Sequence, residues 1–191
     1  MAMNNHNLTN QFVTRQQVID YARKKIGEDP VYLDTETTGL EIYDEIIEIA
    51  IVDSNGKVIF DSLIKPTKPI PLSATAINHI SNEMVKHSPT IAETWQEIRK
   101  LLINHPIGMY NAEFDIRMIL QSLKLNNLPD NTKLNAFDIM KVYTDFMGNN
   151  RRYRLEQAGR NLGIMIPNSH RAVDDTLLTR AVFHSIAGIQ Y

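Results

Sequence analysis

Apolar residues recur at two different periods along this chain, and the changes of period mark out its elements. Thr14 and Gln17 have the spacing of a capping box, and Val18, Tyr21, Ala22 and Ile26 follow at helical spacing, so an amphipathic helix is expected to lead in. Pro30 stops it. Val31-Tyr32-Leu33 opens a short apolar run that ends in Asp34 and a Thr/Gly-rich turn through Gly39, which reads as a first strand. Ile46 to Val52 and Lys57 to Ile64 are β-branched runs joined by Asp53-Ser54-Asn55-Gly56, a hairpin signal, so three antiparallel strands are expected. Ala74 to Lys86 reads as one or two short helices broken near Ser81. Ile91, Trp95, Ile98, Leu101 and Leu102 share one helix face. Ile107 to Tyr110 is a short strand and Phe114 to Leu125 a helix. Asp138 is placed to cap a helix running through Met147, Leu155 to Leu162 is closed by Gly163, and a last helix spans Ala172 to Ala187.

A meander followed by helices alternating with short strands predicts an α/β domain around a mixed five-stranded sheet, three antiparallel strands and then parallel ones, flanked by helices. Residues 1–27 are read as a tail and amphipathic helix, and residues 28–188 as the domain proper. The length of 191 residues suits one core, and 43% hydrophobic with 22% charged residues is an ordinary globular balance. Cysteine is absent, which excludes thiolate metal sites, disulfide scaffolds and cysteine nucleophiles together. No apolar run approaches the roughly 20 residues of a membrane helix, and Met1 to Gln11 is too polar for a signal peptide, so a cytoplasmic protein without membrane contact is expected. The net charge of -2 gives no global basic field. Between Lys141 and Arg171, however, six basic residues face two acids, so a basic segment sits on an acidic body.

Four acids stand where a strand ends or a helix begins: Asp34, Glu36, Asp115 and Asp175. Asp34 and Glu36 are two apart on one strand, so their side chains point to the same side of the sheet. Carboxylates held so close repel unless cations lie between them, and hard ions such as Mg²⁺ or Mn²⁺ take such oxygen ligands. His170 adds a group that titrates near neutrality and can accept a proton from water; Pro167, Asn168 and Ser169 before it read as a loop. Glu41, Asp44, Glu45 and Glu48 read as turn and strand-face acids, and Asp174 as an acid serving the helix dipole.

The blocks Asp34-Thr-Glu36-Thr-Thr-Gly39, Asn111-Ala-Glu-Phe-Asp115 and His170-Arg-Ala-Val-Asp-Asp175 resemble the three motifs of the proofreading-exonuclease superfamily, in the branch named for four acids and a histidine (DEDDh). The resemblance runs from about Val31 to Ala187 and is nearest to epsilon-type proofreading subunits and ribonuclease T. It implies a ribonuclease H-like fold, two Mg²⁺ or Mn²⁺ ions held by Asp34, Glu36, Asp115 and Asp175, and removal of 5′-mononucleotides from a single-stranded 3′ end. His170 and Glu36 are the catalytic candidates. DNA is favoured as substrate, although the acids and the histidine are blind to the sugar. Four carboxylates and two divalent ions balance in charge, which agrees with that implication.

Thr37 and Leu40 follow Glu36 where relatives hold the last base and sugar. Asn111 and Phe114 precede Asp115 in the family manner; Phe114 lines a nucleotide groove or packs in the core. Tyr110 departs from the histidine common before that asparagine. His79 lies in a segment resembling the active-site side of epsilon-type relatives and is left outside the site. Arg151, Arg152, Tyr153 and Arg154 are read evenly as a phosphate-binding cluster or a solvated face. Gln121 to Leu125 echoes a sliding-clamp peptide faintly, but falls inside an expected helix. A polymerase or another replication or repair protein is the partner the resemblance implies, and dimerisation is left open. A non-catalytic nucleic-acid-binding module of the same fold and a small-nucleotide phosphoesterase are the alternatives.

Overall fold

Backbone hydrogen bonding and side-chain alternation place each expected element, and the computed structural model describes residues 14–129, 132–165 and 170–191. The N-terminal tail and the loop expected at residues 167–169 lie outside these. Helix α1 (Arg15–Gly27) opens with a reciprocal cap: Gln17 N donates to Thr14 Oγ1 at 3.2 Å, and Thr14 N donates to Gln17 Oε1 at 3.0 Å. Strands β1 (Val31–Thr37), β2 (Ile46–Val52) and β3 (Val58–Leu63) form the antiparallel meander. In its second turn Asp53 Oδ1 accepts from Asn55 N and Lys57 N, and Gly56 takes the positive φ of 88° that the turn requires.

Helices α2 (Leu72–Asn78), α3 (Asn82–Val85) and α4 (Ile91–Leu102) follow, with Ser81 capping α3 at the expected break. Then come β4 (Ile107–Met109), α5 (Ala112–Leu125), β5 (Ala136–Asp138), α6 (Ile139–Phe146), α7 (Leu155–Asn161) and α8 (Ala172–Ala187). The sheet order is β3-β2-β1-β4-β5, with β4 parallel to both β1 and β5. This is the mixed five-stranded sheet flanked by helices that the sequence predicts. Strand β5 is an addition to the strands read along the chain, because Ala136-Phe137-Asp138 holds a single large apolar side chain and forms no apolar run. Helix α5 starts at Ala112, two residues ahead of its expected start.

Alternation along β1 decides what the two faces of the sheet receive. Tyr32 joins Phe137, Tyr143 and Phe183 in the core beneath α1, α6 and α8, whereas Val31 and Leu33 join Trp95, Ile98 and Ile119 beneath α4 and α5. Period two then puts Asp34 and Glu36 on the α8 side and Thr35 on the α5 side. Helix α8 is buried along most of its length, polar residues such as Thr176 and Thr179 included, and packs on both β1 and β2, so it carries its first turn to the end of β1. A register shift between Glu36 and Thr37 marks a bulge at that end, a feature that re-aims side chains. Among the described residues no helix is long and apolar enough to cross a membrane.

Two of the acids read as turn and strand-face residues are buried. Glu45 and Glu48 are 2% and 1% exposed. Glu45 accepts from Thr67 N at 3.0 Å and Thr67 Oγ1 at 2.6 Å, anchoring the chain after β3. Glu48 is held by Arg171 and the start of α8. Asp44 is a turn acid as read, accepting from Thr38 Oγ1 and Glu41 N.

Candidate active site

Three of the expected metal acids converge. Asp34 and Glu36 project from the end of β1, and Asp175 descends from the first turn of α8, so that one carboxylate oxygen from each lies within 4.8 Å of the others. Asp115, in the first turn of α5, approaches from the opposite side of the sheet. Its Oδ1 accepts a 2.8 Å hydrogen bond from Thr35 Oγ1, and the residue is 2% exposed. Asp115 stands outside the three-acid cluster, but its field reaches Asp34.

Burial and repulsion by neighbouring acids leave their mark on every one of these carboxyls. Asp34 is held well above the usual carboxylate range, first by desolvation and then by Asp115, Asp175 and Glu36. Desolvation, Asp175 and Glu48 push Glu36 up to about 8, against an opposing hydrogen bond from Asn78. Burial also raises Asp115, opposed by the Thr35 hydroxyl. Asp175 is raised to about 6 by desolvation, offset by His170. Asp175 Oδ1 is buried without a hydrogen-bond partner. A buried carboxylate oxygen left unsatisfied among like charges is the arrangement a hard divalent cation relieves, so this donor set fits Mg²⁺ or Mn²⁺.

Loop chemistry positions the other candidates. Asn111 adopts a left-handed φ of 69°, and its N–H donates to Asp138 Oδ1 at 3.2 Å. Asp138 also accepts from Met140 N at 3.0 Å, so one carboxylate caps α6 and holds the turn that launches α5 and Asp115. His170 has a φ of 50°, and its Nε2 lies 3.7 Å from Glu156 Oε1 on α7.

Two depressions meet the acids. One, of about 610 Å³, is lined by Asn111, Arg152, Arg154, Glu156, His170 and Asp175. The other, of about 340 Å³, is lined by Glu36, Thr37, Leu40, Ile77, Asn78 and Phe114. Thr37, Leu40 and Phe114 therefore share one cleft and Asn111 lies in its neighbour. Phe114 belongs partly to each earlier reading, since it packs against the α5-side core and also lines the cleft. His79 is exposed at the left-handed end of α2, outside both.

The basic cluster divides by position. Tyr153 is buried against Tyr143, its carbonyl accepts from Tyr110 Oη at 2.9 Å, and Arg152 donates to Asn111 Oδ1 at 3.1 Å. Gln121 lies in α5 and donates to the carbonyls of Glu41 and Asp44, which uses it in the fold and leaves the clamp-peptide echo without support.

Sequence reasoning missed Asn78 and Glu156, and it read Asp138 only as the cap of α6, which it is, and Glu48 only as a strand-face acid. Asn78 was foreshadowed by the segment around His79. Glu48 had a signal of its own, an acid inside an otherwise unbroken apolar strand.

A family model described as exonuclease (RNase_T) matches residues 31–183. An uncharacterized exonuclease, CP81, of Escherichia phage 186 is 32% identical over 187 residues, covering 92% of this chain and 96% of the relative. The DNA polymerase III subunit epsilon of Treponema pallidum is 30% identical over 156 residues, 78% of this chain and 72% of that one. Among solved structures, exonuclease X in complex with 5′ overhanging duplex DNA matches with a TM-score of 0.64 at 28% identity, covering 83% of this chain and 90% of that one. Exonuclease I of E. coli in complex with a dA16 oligonucleotide matches with a TM-score of 0.68 at 20% identity, and the chain spans 39% of its length. These neighbours share the ribonuclease H-like fold, and the chain belongs to the exonuclease family.

Proposed function

We propose that the chain is a divalent-cation-dependent 3′-to-5′ exonuclease that takes single-stranded ends, DNA in preference, and releases 5′-mononucleotides. The observation that carries this reading is the convergence of Asp34, Glu36 and Asp175, with an unsatisfied buried oxygen on Asp175, at the junction of two clefts. Two Mg²⁺ or Mn²⁺ ions held by these acids and Asp115 would supply activation of a water and stabilisation of the leaving 3′ oxygen. His170 takes up the proton of the attacking water on its imidazole, and Glu156, 3.7 Å from Nε2, stabilises the charged ring. Thr37, Leu40 and Phe114 receive the terminal nucleotide in the smaller cleft. Arg152 and Arg154 present positive charge to backbone phosphates from the larger one.

Relatives described as epsilon subunits and structures described with DNA support a DNA substrate and work beside a polymerase, in proofreading or repair. The test is digestion of matched 5′-labelled single-stranded DNA and RNA with Mg²⁺, Mn²⁺ or EDTA, alongside an Asp34→Ala/Glu36→Ala control. A ladder that shortens from the 3′ end of DNA, absent with EDTA and in the control, supports the proposal. Folded protein that cleaves neither strand with any metal overturns it in favour of a binding module.

A further inference from the structure

Glu48 stands at the flank of the acidic cluster without belonging to it. It pairs in register with Glu36 across the β1/β2 ladder, so the two carboxylates share a face of the sheet, an arrangement that repels. Its oxygens are engaged elsewhere. Arg171 Nε donates to Oε1 at 2.9 Å and to Oε2 at 3.1 Å, Arg171 Nη2 also donates to Oε1, and Ala172 N donates to Oε2 at 2.9 Å. Arg171 follows His170 directly and occupies the N-cap position of α8, where its own side chain makes no capping bond. The carboxylate of Glu48, from a different element, therefore satisfies an N–H in the first turn of α8 that the local sequence leaves without a capping side chain.

We infer that Glu48 is a positioning residue: gripping Arg171 and Ala172 N, it fixes the start of α8 and thereby sets His170 and Asp175 against Asp34 and Glu36. The guanidinium also keeps Glu48 from serving as one more metal-binding acid. A carboxylate 1% exposed needs such a partner, since breaking a buried pair leaves an uncompensated charge. A bidentate fork suits this work because it fixes direction as well as distance.

The inference rests on the exonuclease reading, and the experiment separates the two. Glu48→Gln, Arg171→Met, Arg171→Lys and the Glu48→Gln/Arg171→Met double variant of the full chain are compared with Glu36→Gln. The measurements are kcat and KM on a 5′-labelled single-stranded DNA, Mn²⁺ binding by calorimetry, and amide hydrogen exchange over residues 171–176. Each single change is expected to lower kcat about 10- to 100-fold with KM near wild type and Mn²⁺ affinity reduced less than in Glu36→Gln, and to speed exchange at the start of α8. The double variant should be no worse than the poorer single one, because both remove the same link. Arg171→Lys, which keeps the charge and loses the fork, should fall between wild type and Arg171→Met.

Mn²⁺ binding weakened in Glu48→Gln as much as in Glu36→Gln would make Glu48 a ligand and overturn the assignment. So would wild-type kcat in Arg171→Met, or unchanged exchange over residues 171–176 in Glu48→Gln. Full activity in Glu36→Gln strikes instead at the metal-site reading underneath. The exchange measurement then still decides the anchoring, independently of turnover.

Discussion

The Thr35 hydroxyl donates to Asp115 Oδ1 at 2.8 Å and ties the acid on the α5 side to the strand that ends in the candidate site. Thr35 belongs to the strand that carries Asp34 and Glu36 toward α8, yet points to the α5 side, where Asp115 enters. Its bond favours the ionised carboxylate, against the burial that pushes Asp115 up. Thr35→Val keeps the shape and removes the donor. Asp115 then rises further, and divalent-cation affinity is expected to fall about 10- to 100-fold near neutral pH. The deficit should shrink as pH rises and the carboxyl ionises regardless. Calorimetric Mg²⁺ titration at about pH 7 and about pH 8.5 reads this directly. An affinity equal to wild type at both would show that Asp115 takes no part in holding the ion.

Raised carboxyls make the metal-free protein sensitive to alkali. A group whose folded pKa lies above its unfolded value contributes stability that is complete below the unfolded pKa and is lost as pH rises through the folded one. Glu36, pushed up to about 8, and Asp34, Asp115 and Asp175, also raised, all act in this sense. His184 acts oppositely. Buried beside Tyr32 and lowered to about 4, it adds stability as pH rises toward the ordinary histidine value near 6.5. Above that value only the acids remain, so in EDTA the Tm is expected to fall between about pH 6.5 and the value near 8 of Glu36. Saturating Mg²⁺ should flatten or reverse the slope, because the ion replaces the protons. A Tm that rises over this interval in EDTA would contradict the apposition of the acids.

Turn chemistry and strand period were legible because they are local. Asp53 to Gly56 declared its hairpin, Thr14 and Gln17 their cap, and Asp34 and Glu36 their common face. The acids and His170 were legible as three blocks whose order and residue types resemble a family pattern. What stayed hidden depends on contacts far along the chain. Glu48 meets Arg171 across 123 positions and Asp138 meets Asn111 across 27, so neither acid announces its partner in its own neighbourhood. Strand β5 was hidden for a different reason: three residues at the sheet edge take their conformation from β4, which no local period encodes.

Gly39 is expected to matter for substrate more than for metal. A Cβ there would lie 2.5 Å from Asp44 Oδ2, the atom that accepts from Glu41 N at 2.7 Å, while Oδ1 holds Thr38 Oγ1 at 2.8 Å. Gly39→Ala therefore displaces the carboxylate that folds the loop carrying Leu40 to the smaller cleft. The stability cost of such overpacking is about 1–3 kcal/mol. KM for single-stranded DNA should rise about tenfold, equivalent to about 1.4 kcal/mol, with Mn²⁺ affinity retained. Unchanged KM in a folded variant would remove Leu40 from the substrate pocket.

Arg152 offers a test that separates a phosphate contact from a solvated surface charge. It lines the larger cleft with His170 and Asp175 and bonds Asn111 at 3.1 Å, so its guanidinium is held at the mouth of the site. A side chain that neutralises a phosphate releases a counterion, and the log of affinity for single strands falls with log salt by about 0.7 per contact. In an Asp34→Ala/Glu36→Ala background that binds without cutting, Arg152→Ala should weaken single-stranded DNA binding and reduce that slope by about 0.7. Arg151 supplies the comparison, since its guanidinium lies over the Tyr153 ring at 5.5 Å and it is not among the residues lining the cleft. Arg151→Ala should therefore leave the slope nearly as it was. Equal slopes in both variants and the parent would assign the cluster to the solvated surface. A reduced slope in Arg152→Ala alone would fix the path of the strand between the basic segment and the acids.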